Sequence, residues 1–239
     1  MKNTLFYLLL IPFLGFAQNC LQTSISVYTQ AELDSYADCT NILNVNFPCQ
    51  NDGSGYVCEN FDIIDLSSLL NKPNITGINI NGTSINDATL NELLMNLNNL
   101  SYINIFNNNS LLDISIPVKL NMSSVNISYT SLNTISFFNN STNTLFNVND
   151  GIPSMMDLYI GENNNLQVID GVGDFYVFMM YISNNPSLES INGSLLIPNW
   201  IDDEMSMEGI LSMIENNPSL TNCCPIQQIF QSYLYMYPP

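Results

Sequence analysis

The stretch YISNNPSLESI, residues 181–191, returns 32 residues later as MIENNPSL at residues 213–220, and five consecutive residues are identical in the two copies. A looser copy, YIGENNNLQVI, precedes them at residues 159–169. Still looser copies begin near residues 126, 104 and 79. Self-similarity at such a period is the signature of a repeat architecture, so the repeat is the natural starting point for the fold.

The spacing of one isoleucine defines the length of the repeat. Successive equivalents are separated by 25, 22, 33, 22 and 32 residues, which gives a unit of about 22 to 25 residues with insertions of about ten. The six equivalent positions are Ile80, Ile105, Ile127, Ile160, Ile182 and Ile214.

Five of the six repeats contain an apolar-polar-apolar triplet, such as INI at 78–80, VNI at 125–127 and MYI at 180–182. This period of two, rich in β-branched residues, predicts short strands with one buried side. Strands that recur once per repeat are expected to stack in parallel, with Leu166, Leu188 and Leu220 pointing into the core behind them.

Asparagine is unusually frequent, with 38 residues in a chain of 239. Asn pairs after the strands suit a turn, because Asn tolerates the left-handed conformation. Stacked turns would also let the amides bond one another as a ladder. At Asn184 and Asn216 we expect alanine to cost about 1–3 kcal/mol if the amide is buried and bonded, and little if it is solvated.

Composition removes several classes of function. The chain has no histidine or arginine, and three lysines face 21 acidic residues for a net charge of −18. Nucleic-acid binding, histidine-based catalytic triads and histidine-ligated zinc are therefore excluded. With 46% apolar and 10% charged residues, the sequence predicts a folded core with an uncharged polar surface.

The N-terminus has the pattern of a secretory leader. Lys2 precedes an apolar run from Leu5 to Phe16, and the small residues Gly15 and Ala17 predict cleavage after Ala17. The run is too short to span a bilayer, so no membrane insertion is expected. We therefore predict a signal peptide at 1–17, a single domain at 18–239, and a secreted, extracellular or cell-surface protein.

An exported chain makes its six cysteines candidates for disulfides. Among the first four, pairing Cys20 with Cys39 and Cys49 with Cys58 gives the shortest total loop length, although three pairings are open. A bridge between the adjacent Cys223 and Cys224 would be strained, so their state is left open. A metal site is the alternative for the first four, but the CxxC spacing of zinc knuckles is absent, and no cofactor or metal is expected.

The repeats resemble the receptor L-domain, a leucine-rich-repeat-like right-handed parallel β-helix found in receptor ectodomains and secreted bacterial proteins. The segment from Cys20 through Leu33 to Cys39 and the following Val45-Asn46-Phe47 is similar to the family's opening helix, cysteine and first strand. The resemblance spans roughly residues 20–224 and implies a β-rich solenoid with short helical caps. It also implies a Cys20–Cys39 bridge and a binding scaffold without catalytic residues. Ordinary leucine-rich repeats are the nearest rival, but their spacing is not met cleanly.

The middle residue of each triplet is predicted to point outward, in one column. Aromatic faces beside amides suit a neutral sugar or a polar protein partner, although stacked tyrosines could instead only stabilise the sheet. Lys72 and Lys119 are too few to attract an anionic polysaccharide. The column, expected to be the binding site, is Asn79, Asn104, Asn126, Tyr159, Tyr181 and Met213. The predicted function is a non-catalytic extracellular recognition or adhesion module that binds a protein or a neutral glycan.

A carbohydrate-active enzyme is the alternative hypothesis. Asp157 and Glu162 flank a predicted strand and are the candidate carboxylate pair of a glycoside hydrolase. The acidic run Asp202-Asp203-Glu204 could hold calcium, but it lacks the spacing of a dedicated loop, so a solvated acidic loop is the simpler interpretation.

Overall fold

The computed structural model describes residues 20–48, 50–51, 56–57, 62–118, 122–139, 154–171, 176–193 and 211–223. These residues form mostly parallel β-sheets with few helices, which confirms the predicted β-rich class. The predicted leader, Lys119, Cys49, Cys58, Cys224 and the acidic run at 202–204 lie outside the described residues.

Two sheets contain most of the strands. The large sheet is built from β1 (Ser24–Ser26), β2 (Asn44–Phe47), β5 (Gly77–Asn81), β6 (Tyr102–Phe106), β8 (Ser124–Ser128), β10 (Ser154–Gly161), β12 (Tyr176–Ser183) and β14 (Leu211–Glu215). The small sheet is built from β7 (Asp113–Val118), β9 (Thr134–Asn139), β11 (Val168–Asp170), β13 (Ser190–Ile191) and β15 (Asn222–Cys223). A separate antiparallel pair joins β3 (Gln50–Asn51) to β4 (Tyr56–Val57).

From β6 onward, consecutive strands alternate between the two sheets. The large sheet has the order β1-β2-β5-β6-β8-β10-β12-β14 and the small sheet the order β15-β13-β11-β9-β7. Every pairing within either sheet is parallel. Over the described strands, neither sheet closes on itself, so each ends in two edge strands.

The six equivalent isoleucines pair in register across the large sheet, from Ile80 to Ile214, as the sequence predicted. The first five are fully buried, and Ile214 is partly buried against the core. The stack begins earlier than the predicted series, because Phe47 of β2 pairs with Ile80 and β1 pairs with β2. The sequence did not place β1 in the stack because no Asn pair follows it.

Two α-helices and one 3-10 turn pack beside the sheets. Helix α1 (Gln30–Ser35) is capped by Thr29, whose side chain accepts from the Glu32 amide, and a 3-10 turn spans Ser67–Leu69. Helix α2 (Asp87–Asn96) buries Leu90, Leu93 and Leu94. Helix α2 also covers the β7 edge of the small sheet, where the Asn91 side chain accepts from the Ser115 amide (2.8 Å). Among the described residues, no helix has the length and apolar character needed to cross a membrane.

A disulfide joins Cys20 to Cys39 near the start of the chain, as the resemblance implied. Lys72 lies beneath this loop, only 2% exposed, and its ammonium donates to the Ala37 carbonyl (2.9 Å) and the Cys39 carbonyl (2.6 Å). Burial lowers the pKa of Lys72, and the nearby Asp38 carboxylate partly opposes that shift. The lysine therefore anchors the disulfide loop and is not available to an anionic ligand.

Candidate binding face of the large sheet

The six residues predicted to share an outward column do so. Asn79, Asn104 and Asn126 pair in register on β5, β6 and β8. Tyr159 pairs with Asn126 on one side and with Tyr181 on the other, and Tyr181 pairs with Met213. Asn46 extends the column onto β2. The term "outer face" is used below for this column and the columns two residues before and after it.

The amides of the outer face bond one another only in part. The Asn104 side chain donates to the Asn79 side-chain oxygen at 2.7 Å. The side-chain oxygens of Asn46, Asn104 and Asn126 are shielded from solvent and accept no hydrogen bond from any residue that the structure describes. A buried acceptor without a partner is costly. A donor that reaches one of these oxygens, or a side-chain rotation that brings the oxygen to a donor, would therefore be stabilising.

Aromatic side chains lie over glycines on this face. A Cβ atom added to Gly77 would lie 2.0 Å from the Tyr102 ring, so the ring occupies the space above β5. The Tyr102 hydroxyl reaches on to the Asn44 side-chain oxygen at 3.3 Å. A Cβ atom on Gly161 would lie 2.7 Å from the Tyr159 hydroxyl, so this second ring leans along β10 toward its end.

A further aromatic pair lies at the corner where β6 and β8 end. The rings of Phe106 and Tyr129 meet edge to face, with centroids 5.1 Å apart and an interplanar angle of 61°. Phe106 belongs to the column that continues through Ser128 on β8 and Gly161 on β10. The leaning Tyr159 ring therefore approaches the same corner of the face.

Charge is nearly absent from the outer face, although the chain carries −18 overall. The outward positions of β1, β2, β5, β6 and β8 are Ser, Asn, Gly, Tyr and Phe only. Asp157 on β10 and Glu215 at the end of β14 are the charged residues in the described columns. Such a face favours an uncharged ligand over a cationic or an anionic one.

A buried asparagine ladder supports the corner next to the outer face. Asn185 accepts from the Asn163 amide (3.1 Å) and donates to the carbonyls of Ile160 (3.1 Å) and Ser183 (3.0 Å). Asn217 accepts from the Asn185 amide (2.9 Å) in the same way. In two earlier turns a threonine takes the ladder position of an asparagine. Thr130 donates to the Asn163 side-chain oxygen, and Thr83 donates to the Asn108 side-chain oxygen.

The buried ladder lies one residue beyond the two asparagines that the sequence analysis named. Asn184 and Asn216 are the left-handed residues of their turns, with φ of 56° and 55°. They form an outer ladder, in which Asn216 donates to Asn184 (3.0 Å) and Asn184 donates to Glu162 (2.7 Å). Asn184 is half-buried and Asn216 is exposed, whereas their successors are more buried: Asn185 fully and Asn217 in part.

The structure does not bring together the carboxylates proposed for the enzyme hypothesis. Asp157 and Glu162 are five residues apart along β10 and its end, a rise of about 16 Å. Glycoside hydrolases need their two carboxyl groups within roughly 5–9.5 Å. No group of three or more Cys, Asp or Glu side chains that could hold a metal ion is found in the described ranges.

Sequence reasoning missed four residues of this face, namely Asn46, Tyr102, Phe106 and Tyr129. The period of two places Tyr102 and Phe106 on the same side as Asn104, so extending each triplet by two residues in both directions would have found them. Tyr129 follows its strand in a left-handed turn, and nothing in the repeat pattern indicates that its ring meets Phe106.

Comparisons with protein-family models, with curated protein sequences and with solved structures find no significant match to this chain.

Proposed function

We propose that this protein is a non-catalytic extracellular recognition or adhesion module that binds neutral glycans through the outer face of its large sheet. The observation that carries the proposal is the composition of that face: tyrosines and amides in register, with no cation and only the two carboxylates Asp157 and Glu215 in the described columns, in a strongly acidic chain. Tyrosine rings offer flat surfaces to the C–H faces of sugars, and amides bond their hydroxyls.

The architecture that we propose is a right-handed parallel β-helix of the receptor L-domain type. Its support is the alternation of strands between two parallel sheets, with equivalent residues in register. The short helices Gln30–Ser35 and Asp87–Asn96 and the Cys20–Cys39 bridge agree with that family's pattern. Such a scaffold presents a long sheet face to a ligand.

Secretion is part of the same proposal. The Cys20–Cys39 disulfide is a bond that persists in oxidising compartments, and the predicted leader at 1–17 would deliver the chain to one. Glycans of cell walls and matrices are abundant outside the cell.

A panel of soluble oligosaccharides tests the proposed function. The mature chain would be titrated calorimetrically with neutral gluco-, manno-, galacto- and xylo-oligosaccharides, and with uronic-acid oligosaccharides as the anionic arm. We expect binding in the neutral arm and none in the anionic arm, because the face lacks cations.

Three outcomes would contradict the proposal. Binding confined to the anionic arm would show that charge, not the outer face, governs recognition. Release of new reducing ends would indicate an enzyme. Failure of every oligosaccharide, together with specific capture of a purified extracellular protein, would replace the glycan with a protein partner.

A further inference from the structure

One row of backbone positions in the described residues adopts the left-handed conformation in every repeat. In the large-sheet strands from β5 to β14, the first residue after the strand has φ between 53° and 59°, and these residues are Gly82, Asn107, Tyr129, Glu162, Asn184 and Asn216. Glycine and asparagine accept this conformation readily, whereas a bulky side chain is strained in it. Tyr129 is the one aromatic residue of the row.

Packing does not explain why a tyrosine occupies this strained position. The Tyr129 side chain remains 51% exposed, among the most exposed large side chains that the structure describes. Its ring contact is the edge-to-face pair with Phe106, which is itself half-buried. A residue that is both strained and largely in solvent contributes little to stability, and such strain is characteristic of functional positions.

Three aromatic side chains lie at the corner around Tyr129. Phe106 and Tyr129 stand on one side, and the Tyr159 ring leans over Gly161 on the other. Ser128 lies between Phe106 and Gly161 in the same column. Ser128 is only 4% exposed and Gly161 is buried, so the accessible surface of this corner is mainly aromatic.

We propose that this aromatic corner is a stacking subsite for one hexopyranose ring of a neutral glycan, with Tyr129 as its platform. The inference rests on the proposed function of the same face and adds a specificity-determining residue to it. The C–H face of the sugar stacks on the exposed Tyr129 ring, and the Tyr159 side chain bounds the sugar on its other side. The Asn126 amide, two residues before Ser128 on β8, lies on the path along which the next sugar continues over the face.

The test uses the opposite effects that Tyr129→Asn should have on stability and on binding. Asparagine relieves the left-handed strain, so the melting temperature should rise by about 2–4 °C. Affinity for the best neutral oligosaccharide of the panel should fall at least tenfold. Tyr129→Phe keeps the platform and should bind within about twofold of the native chain.

Glu162→Asn is the matched control, because it places the same residue at the next left-handed position and keeps an acceptor for the Asn184 amide. It should raise the melting temperature similarly and leave affinity unchanged. If Tyr129→Asn binds like the native chain while Tyr159→Ala binds weakly, the subsite is wrong and the proposed function stands. A lowered melting temperature for Tyr129→Asn would show a structural role and overturn the inference. Absence of binding by the native chain would overturn both.

Discussion

Replacing Asn185 with alanine is expected to lower the free energy of unfolding by about 3 kcal/mol, the largest loss expected from any single amide that the structure describes. The Asn185 side chain is fully buried and bonds the Asn163 amide and the Ile160 and Ser183 carbonyls. Alanine would leave the buried Asn163 N–H without its acceptor and would take one donor from each of the Ile160 and Ser183 carbonyls, in the middle of the stack. Urea denaturation of both proteins, followed by circular dichroism, measures the difference.

Asn165→Ala provides the matched comparison, since this asparagine lies in the neighbouring turn, one repeat earlier, but its side chain is exposed. We expect a change within about 0.5 kcal/mol for it. Similar midpoints for Asn185→Ala and Asn165→Ala would contradict the ladder as a source of stability.

Truncating both tyrosines of the central column, Tyr159→Ala with Tyr181→Ala, is expected to weaken glycan binding by about 100-fold. The two residues pair in register on β10 and β12, and each stacking contact is taken as worth about 1.4 kcal/mol. Isothermal titration with the best neutral oligosaccharide measures the loss.

Met95→Ala is the control for this double variant, because it truncates a side chain that is 45% exposed on helix α2, away from the outer face. Its affinity should equal that of the native chain. A double variant with a lower melting temperature but undiminished affinity would mean that the tyrosines only brace the sheet. That result would remove the column from the binding site.

The core of the stack could be predicted from the sequence because its signal is periodic. Isoleucine at one position of each triplet must face the interior. Isoleucines at the same position of successive repeats therefore pair with one another across the sheet. The outward column follows from the same alternation. The sequence could not indicate which asparagine of each pair has the buried side chain.

In an Asn-Asn pair, the two side chains are chemically identical, and only the backbone distinguishes them. The left-handed φ of Asn184 turns Asn185 into the core, so the buried amide is the second of the pair. Thr83 and Thr130 occupy ladder positions with a hydroxyl instead of an amide, which hides them from a search for asparagine. Tyr102 can lie over Gly77, and Tyr159 over Gly161, because glycine has no Cβ atom. The sequence does not indicate these contacts until the arrangement of the strands is known.

The most direct measurement of glycan recognition is a side-chain amide spectrum of the ¹⁵N-labelled mature chain during titration with the neutral oligosaccharides of the panel. We expect the NH₂ signals of Asn79, Asn104 and Asn126 to shift progressively, because their amides lie along the path of the ligand. The buried amides of Asn163 and Asn185, which are bonded inside the ladder, should shift far less. Shifts confined to amides of the small sheet, such as Asn222 on β15 and its hydrogen-bond partner Asn192, would contradict the outer face as the site of recognition.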